Sequence, residues 1–281
     1  MKNFANISRF FGKLIVPAFA ALAFSACDSV GEYDRYVPLP EMDDVERVVL
    51  LQDFTGQNCI NCPSAHEIME LLMEQYGTNL ICVSVHAGDL AIPVSRTRFT
   101  DDGYQAASLG LKTDEGDEYN NAASVAHWPM GTVDGGPAVD PDQWSASIRS
   151  QLSKDPAAKI EIEAQLVDGK ILINSDLLAS SNFSGKYTLW VVESNLVGRQ
   201  RGESGNQNDY VHNHVFRTSV NGTWGEEITL EEGMRRELSH SIDLRYNDSE
   251  RWNPANISIV GFISDGAGVQ QAAECKLNID N

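Results

Sequence analysis

Two periodicities divide the chain. In its first half, short apolar runs alternate with stretches whose apolar residues recur every three or four positions. Val48-Val49-Leu50-Leu51 reads as a buried strand, bounded by the polar turn residues Gly56-Gln57-Asn58. After Pro63, the residues Ile68, Leu71, Leu72 and Tyr76 recur at helical spacing with Glu67, Glu70 and Glu74 opposite, which predicts an amphipathic helix. Asn79 to His86 is a second apolar strand, so the pattern predicts a strand-helix-strand unit of the parallel type. A further helix is expected to carry Trp144, Ile148 and Leu152.

From Ala157 the pattern becomes strict alternation. Ile160, Ile162, Ala164 and Leu166 precede Asp168-Gly169, and Ile171 and Ile173 follow, which predicts a β-hairpin. Further strands are predicted at 187–193, 211–220, 237–244, 257–264 and 269–277, with turns such as Asn221-Gly222 between them. Seven or so short strands favour an antiparallel sandwich. The polar stretch 198–209 reads as a long mobile loop. Trp190, Trp224 and Trp252 read as sandwich core rather than a sugar-binding groove. His212 and His214 are expected on a solvated strand face, since one such pair does not make a metal site.

The N-terminus follows neither pattern. Lys2, Arg9 and Lys13 precede an apolar run from Leu14 to Phe24 that ends in Ser25-Ala26-Cys27. That is a secretory signal peptide over residues 1–26, too short to span a bilayer, which needs about 20 apolar residues. A small residue directly before Cys27 resembles the bacterial lipobox, which implies lipidation of Cys27; ordinary cleavage near Ala26 would leave a free thiol instead. Removing residues 1–26 takes away three bases and no acid, so the net charge moves from −19 to −22. Such acidity argues against a nucleic-acid partner. Residues 27–46, rich in Asp and Glu and broken by Pro38 and Pro40, read as an acidic tether.

The chemistry concentrates in Cys59-Ile60-Asn61-Cys62-Pro63, placed where a strand ends and a helix begins. The unpaired amides of a helix start can stabilise a thiolate, which would make Cys59 the attacking thiol and Cys62 the resolving one. Zinc is disfavoured because no second cysteine pair supplies the remaining ligands. A fixed disulfide that staples the turn is the alternative to a working pair. Cys82 reads as a buried hydrophobe, Cys275 as a distant residue of the last strand, and His66 as a solvated helix residue able to tune a thiol.

Taken together, the strand, the Cys-x-x-Cys-Pro turn and the helix resemble the thioredoxin-like fold. That resemblance implies that Asp53, six positions before Cys59, is a buried carboxylate relaying protons to Cys62. It also implies a cis-proline against the cysteine pair, for which Pro129 is preferred over Pro93. Residues 87–126 then become an insertion, expected to fold as a helical excursion over the active face, and the last strand of the fold is absent or displaced. The expected fold is an α/β thioredoxin-like domain at 47–156 followed by an all-β antiparallel sandwich domain at 157–281.

The signal peptide and lipobox, the segment Phe54 to Pro63, Val-Ser-Val-His-Ala-Gly after the helix, His-x-His-Val-Phe-Arg and Asn-Gly-Thr-Trp-Gly together resemble the Omp28-related outer-membrane lipoproteins. The resemblance implies lipid anchoring at the outer membrane. It leaves two roles open. One is a surface or periplasmic binding protein, adhesin-like, meeting a protein partner. The other is a tethered thiol-disulfide oxidoreductase using Cys59, Cys62, Asp53 and Pro129 on a thiol or disulfide substrate. Neither role calls for a cofactor or a metal.

Overall fold

The computed structural model describes residues 45–100, 103–104, 108–247 and 249–279. The predicted signal peptide, Cys27 and nearly all of the acidic tether lie outside them. In chain order the first half comprises β1 (Val49–Thr55), α1 (Cys62–Tyr76), β2 (Leu80–His86), β3 (Phe99–Thr100), β4 (Gly103–Tyr104), α2 (Asp114–Ala122), β5 (Met130–Val133) and α3 (Pro141–Leu152). The second half comprises β6 (Ala158–Val167), β7 (Lys170–Ala179), β8 (Phe183–Glu193), β9 (Leu196–Gly202), β10 (Gly205–His212) and β11 (Val215–Ser219). After these come β12 (Glu226–Leu230), β13 (Arg235–Asp243), β14 (Ile257–Asp265) and β15 (Gly268–Lys276).

β1 and β2 pair in parallel, with Asp53 beside Ser84 and Thr55 beside His86, and α1 makes the crossover. β5 pairs antiparallel with the other side of β1. Beyond β5 the main sheet stops, and a single bridge between Gly131 and Val139 stands where a further strand would run. α1 forms because Ala65, His66, Met69 and Leu72 share a buried face while its glutamates face outward. Pro63 occupies the first turn, where no amide partner is needed, and Gly77 closes the helix at φ 54°.

The main sheet does not end at the 156/157 boundary. Its order is β15-β14-β8-β11-β2-β1-β5, with β12 also paired to β8, so strands from both halves share one sheet. The two halves meet where β2 pairs in parallel with β11. One core layer likewise draws on both, joining Leu50, Phe54, Val83 and Val85 to Trp190, Phe216, Val260 and Phe262 under Tyr119 of α2. On the opposite face, α1 and α3 cover β1, β2 and β5. There, too, the three-stranded sheet β13-β7-β6 packs its alternating Ile160, Ile171, Ile173 and Leu177 against Tyr187, Leu189 and Ile259, giving the β-rich half a sandwich-like layering.

The predicted hairpin at Asp168-Gly169 is β6–β7, with both turn residues at positive φ as its two-residue turn requires. Three expectations are corrected. Residues 198–209 are not a loop but most of the β9–β10 hairpin. The predicted strand 211–220 breaks at Asn213-His214 into β10 and β11, with His214 at φ 54°. Trp190 and Trp252 are core, but Trp224 is about half exposed, edge-on to Tyr119.

Candidate functional site

β1 delivers the chain to the turn 56–61, and Cys62 opens α1. Cys59 and Cys62 are joined as a disulfide with their Cα atoms 5.5 Å apart. Both are buried: Cys59 is 2% and Cys62 0% exposed, although Ile60 between them is 40% exposed. Two elements distant in sequence account for this.

The insertion covers one side. The amide of Asn58 donates to the Leu90 carbonyl at 2.8 Å. The fully buried Gln57 accepts from the Ile92 amide at 2.9 Å and donates to the Leu109 carbonyl at 2.7 Å. The backbones approach so closely that a Cβ on Gly56 would lie 2.6 Å from the Leu90 carbonyl carbon. The helix of the insertion, α2, sits instead on the far face of the sheet, against Tyr119's aromatic partners.

The β9–β10 hairpin covers the other side. Leu196, Gly198, Gln200 and Gly202 alternate inward along β9. The Gln200 amide nitrogen donates to the carbonyls of Cys59 at 2.9 Å and Gly56 at 3.2 Å. The Arg201 amide donates to the Gln57 carbonyl at 2.8 Å, as one strand would to another, and Arg199 bonds the Asn58 side chain. Gly198 fits because a Cβ there would press on Leu109 at 2.7 Å.

A buried polar cluster lies between α1, β1, β2 and β10. Asp53 is fully buried, with its Oδ2 3.2 Å from His66 Nε2, yet neither carboxylate oxygen has a partner in hydrogen-bond geometry. His66 also contacts Thr55 Oγ1 at 3.0 Å, and its Nδ1 lies 2.7 Å from the Tyr210 hydroxyl. His66 is therefore not the solvated helix residue expected. His212 is 2% exposed rather than on a solvated face, and its ring meets His86 edge-on at 5.3 Å. The Ser84 carbonyl near His86 and the Arg199 carbonyl near His212 miss hydrogen-bond geometry. Burial pushes the His212 pKa down to about 3 and that of His86 well below its ordinary value, with neighbouring histidines adding to both shifts.

Pro129 follows a cis Trp128-Pro129 bond and precedes Met130, which pairs with Phe54. It therefore stands at the same end of the sheet as the cysteine turn. Cys82 and Cys275 are free thiols. Burial, with Asp53 nearby, pushes the Cys82 thiol well above its usual range, and burial raises Cys275 to about 11. Neither is an activated nucleophile. Among the described residues, no three His, Cys, Asp or Glu side chains are grouped to hold a metal ion, and no helix is long and apolar enough to cross a membrane.

Sequence reasoning missed Gln57, Gln200 and Tyr210. The only available signal was the alternation of Leu196, Gly198, Gln200 and Gly202, in which glycine and glutamine conceal the buried face. Chemically, a thiolate must reach a sulfur in line with the S–S bond, and beneath the hairpin and insertion the two cysteines expose almost no surface to one.

No curated protein matches the chain. Among solved structures it is similar to HBP35 of Porphyromonas gingivalis, with 13% identity over 83% of this chain and 76% of that one, at a TM-score of 0.62. It is also similar to a protein of Agrobacterium tumefaciens, with 12% identity over 85% of this chain and 98% of that one, at a TM-score of 0.50. At these identities the likeness is one of fold. A domain of the outer membrane lipoprotein Omp28 from P. gingivalis matches at 20% identity over 46% of this chain and 93% of that domain, with a TM-score of 0.32. The sequence pattern of outer membrane protein Omp28 matches residues 116–281. Because that match spans more than half of the chain, the protein belongs to the Omp28 family of the bacterial outer membrane.

Proposed function

We propose that this is a lipoprotein held at the outer membrane through lipid on Cys27, with a thioredoxin-like domain at 47–156 serving as scaffold. The β module at 157–281 would meet a protein partner in an adhesin-like binding role. The observation that carries this reading is the burial of the cysteine pair under the insertion and the β9–β10 hairpin. A catalytic dithiol needs an accessible, low-pKa sulfur, whereas a staple is inert because it is covered. The test is the redox behaviour of Cys59–Cys62. A potential below about −300 mV and persistence in millimolar glutathione are expected of a staple. Ready reduction by glutathione would overturn the scaffold reading.

One observation favours a second reading, a tethered thiol-disulfide oxidoreductase. Asp53 is buried without a hydrogen-bond partner behind the motif, and an unsatisfied buried carboxylate calls for an explanation. In that reading Cys59 is the nucleophile, Cys62 resolves, Asp53 relays the proton and Pro129 shapes the substrate groove. What the hairpin covers would then have to be uncovered during turnover.

A further inference from the structure

The β9–β10 hairpin differs from the other long strands in how it is held. It forms a two-stranded sheet of its own and joins neither the main sheet nor the three-stranded one. Its attachment to the cysteine turn is polar: the Gln200 amide, the Arg201 amide and the Arg199 guanidinium. Its attachment to α1 is the hydrogen bond between Tyr210 and His66. Its apolar anchor is Leu196, packed with Leu109, Leu111 and Val215, while β10 is exposed along most of its length. An element with so small an apolar attachment belongs to the low-stability end of a protein. Beneath it lie two buried histidines, one on the hairpin and one in the body, whose rings meet edge-on and whose nitrogens make no hydrogen bond in good geometry.

We infer that the β9–β10 hairpin is a proton-operated cover that seats over the Cys59–Cys62 disulfide at neutral pH and lifts when His212 and His86 take up protons. The inference is independent of which role the protein plays, since a staple and a working pair are covered alike. The charged and titratable groups around the two rings are few. His86 on β2 faces His212, His66 on α1 and Arg217 on β11. His212 on β10 faces His86 and His66, and its ring also packs edge-on against Tyr210 at 4.9 Å. His66 in turn approaches Asp53 on β1, and Tyr210 stands near Asp53, Glu67 and Glu70. From the insertion, Leu109 brings only an apolar side chain to Gly198 beside His212. A proton on either ring would sit beside another imidazole and away from water, with the Ser84 or Arg199 backbone nearby but out of hydrogen-bond geometry.

The sign follows from linkage. The closed form disfavours protonation of both rings, so the open form binds more protons between the ordinary histidine pKa of 6.5 and the depressed closed values. Opening therefore becomes more favourable as pH falls below 6.5. Between pH 7 and pH 5 the open fraction should rise about 25-fold for each histidine that stays neutral when closed.

The experiment uses the full chain and a water-soluble phosphine reductant, tris(2-carboxyethyl)phosphine. The phosphine becomes its oxide, taking oxygen from water, while the disulfide gains two electrons and two protons as two thiols. Alkylation and mass spectrometry give the reduction rate of Cys59–Cys62, compared at each pH with that of an exposed model disulfide. The relative rate should rise at least tenfold from pH 7 to pH 5, and His212→Phe and His86→Phe should each remove a large part of that rise. A relative rate flat in pH, or an equal rise in both variants, would overturn the inference. If the variants misfold, hydrogen exchange on the unaltered protein decides. Protection of the amides of Arg199 to Arg201, corrected for intrinsic exchange, should fall between pH 7 and pH 5 while that of Val49 to Phe54 holds. Equal protection at both pH values would sink the idea.

Discussion

Replacing Gln200 by Ala leaves the carbonyls of Gly56 and Cys59 without the amide that now serves both, in a position closed to water. The Gly56 carbonyl keeps the Cys59 amide at 2.9 Å, so the unmet acceptor is the Cys59 carbonyl. An unmet buried acceptor costs about 1–3 kcal/mol, and here the loss falls on the closed state of the hairpin rather than on the whole fold. Gln200→Ala should therefore speed reduction of Cys59–Cys62 by small thiols, roughly tenfold for each 1.4 kcal/mol lost, while the global melting temperature moves little. Thiol-trapping kinetics beside calorimetry would separate the two effects. Asp53 allows a complementary experiment. Its carboxylate is buried without a hydrogen bond, so Asp53→Asn should raise the melting temperature by removing a buried ionisable group. In a scaffold the variant exchanges disulfides as slowly as the parent. In an oxidoreductase it slows exchange near neutral pH, because the proton destined for Cys62 loses its carrier. The resemblance carried by the spacing of Asp53 from Cys59 implied its burial in advance. The clasp by Gln200 was not, because glutamine in a polar stretch looks the same whether it faces water or two carbonyls.

Among the elements, β11 carries a buried arginine at the centre of an ion-pair network. Arg217 is 4% exposed and lies 3.0 Å from Glu250 and 3.6 Å from Glu193, both nearly buried, while Arg245 and Trp252 also donate to Glu250. Burial raises the Glu193 carboxyl, with Arg217 only partly offsetting it; at Glu250 burial works in the same direction, but Arg217 and Arg245 hold the pKa below its ordinary value. Arg217→Met should cost about 3–5 kcal/mol, since it takes the paired cation from the buried Glu193, which keeps only the Asn253 amide, and one of two cations from Glu250, and the midpoint of a guanidinium melt would report it. A change below 1 kcal/mol would show that water reaches the network. The same strand shows why some elements were readable and others not. β6 and β7 have one wet face and one dry face, so their alternation is plain, and Asp168-Gly169 marks the turn. β8 and β11 are buried almost throughout, so alternation disappears. β9 buries glycines, and β12 is a short strand added to the edge of β8.

For the whole molecule, the family fixes the outer membrane as the location, and among the described residues no helix could span a bilayer. If lipid on Cys27 provides the attachment, Cys27→Ser should move the protein from the membrane fraction to the soluble fraction, because one short apolar run gives no stable insertion. Unchanged association in that variant would remove the anchor. The sequence by itself determined the strand-helix-strand unit, the cysteine turn at its switch point, the β-rich second half and the family, all of which rest on local periodicity and short motifs. Only the tertiary structure decided that one sheet runs through both halves, since the pairing of β2 with β11 joins segments separated by more than a hundred residues and leaves no local trace. It likewise decided that the disulfide is covered. Exposure of a turn depends on what distant chain segments lay over it, and here those are Leu90, Leu109 and Gln200, whose polar and glycine-rich surroundings carry no periodic signal of burial.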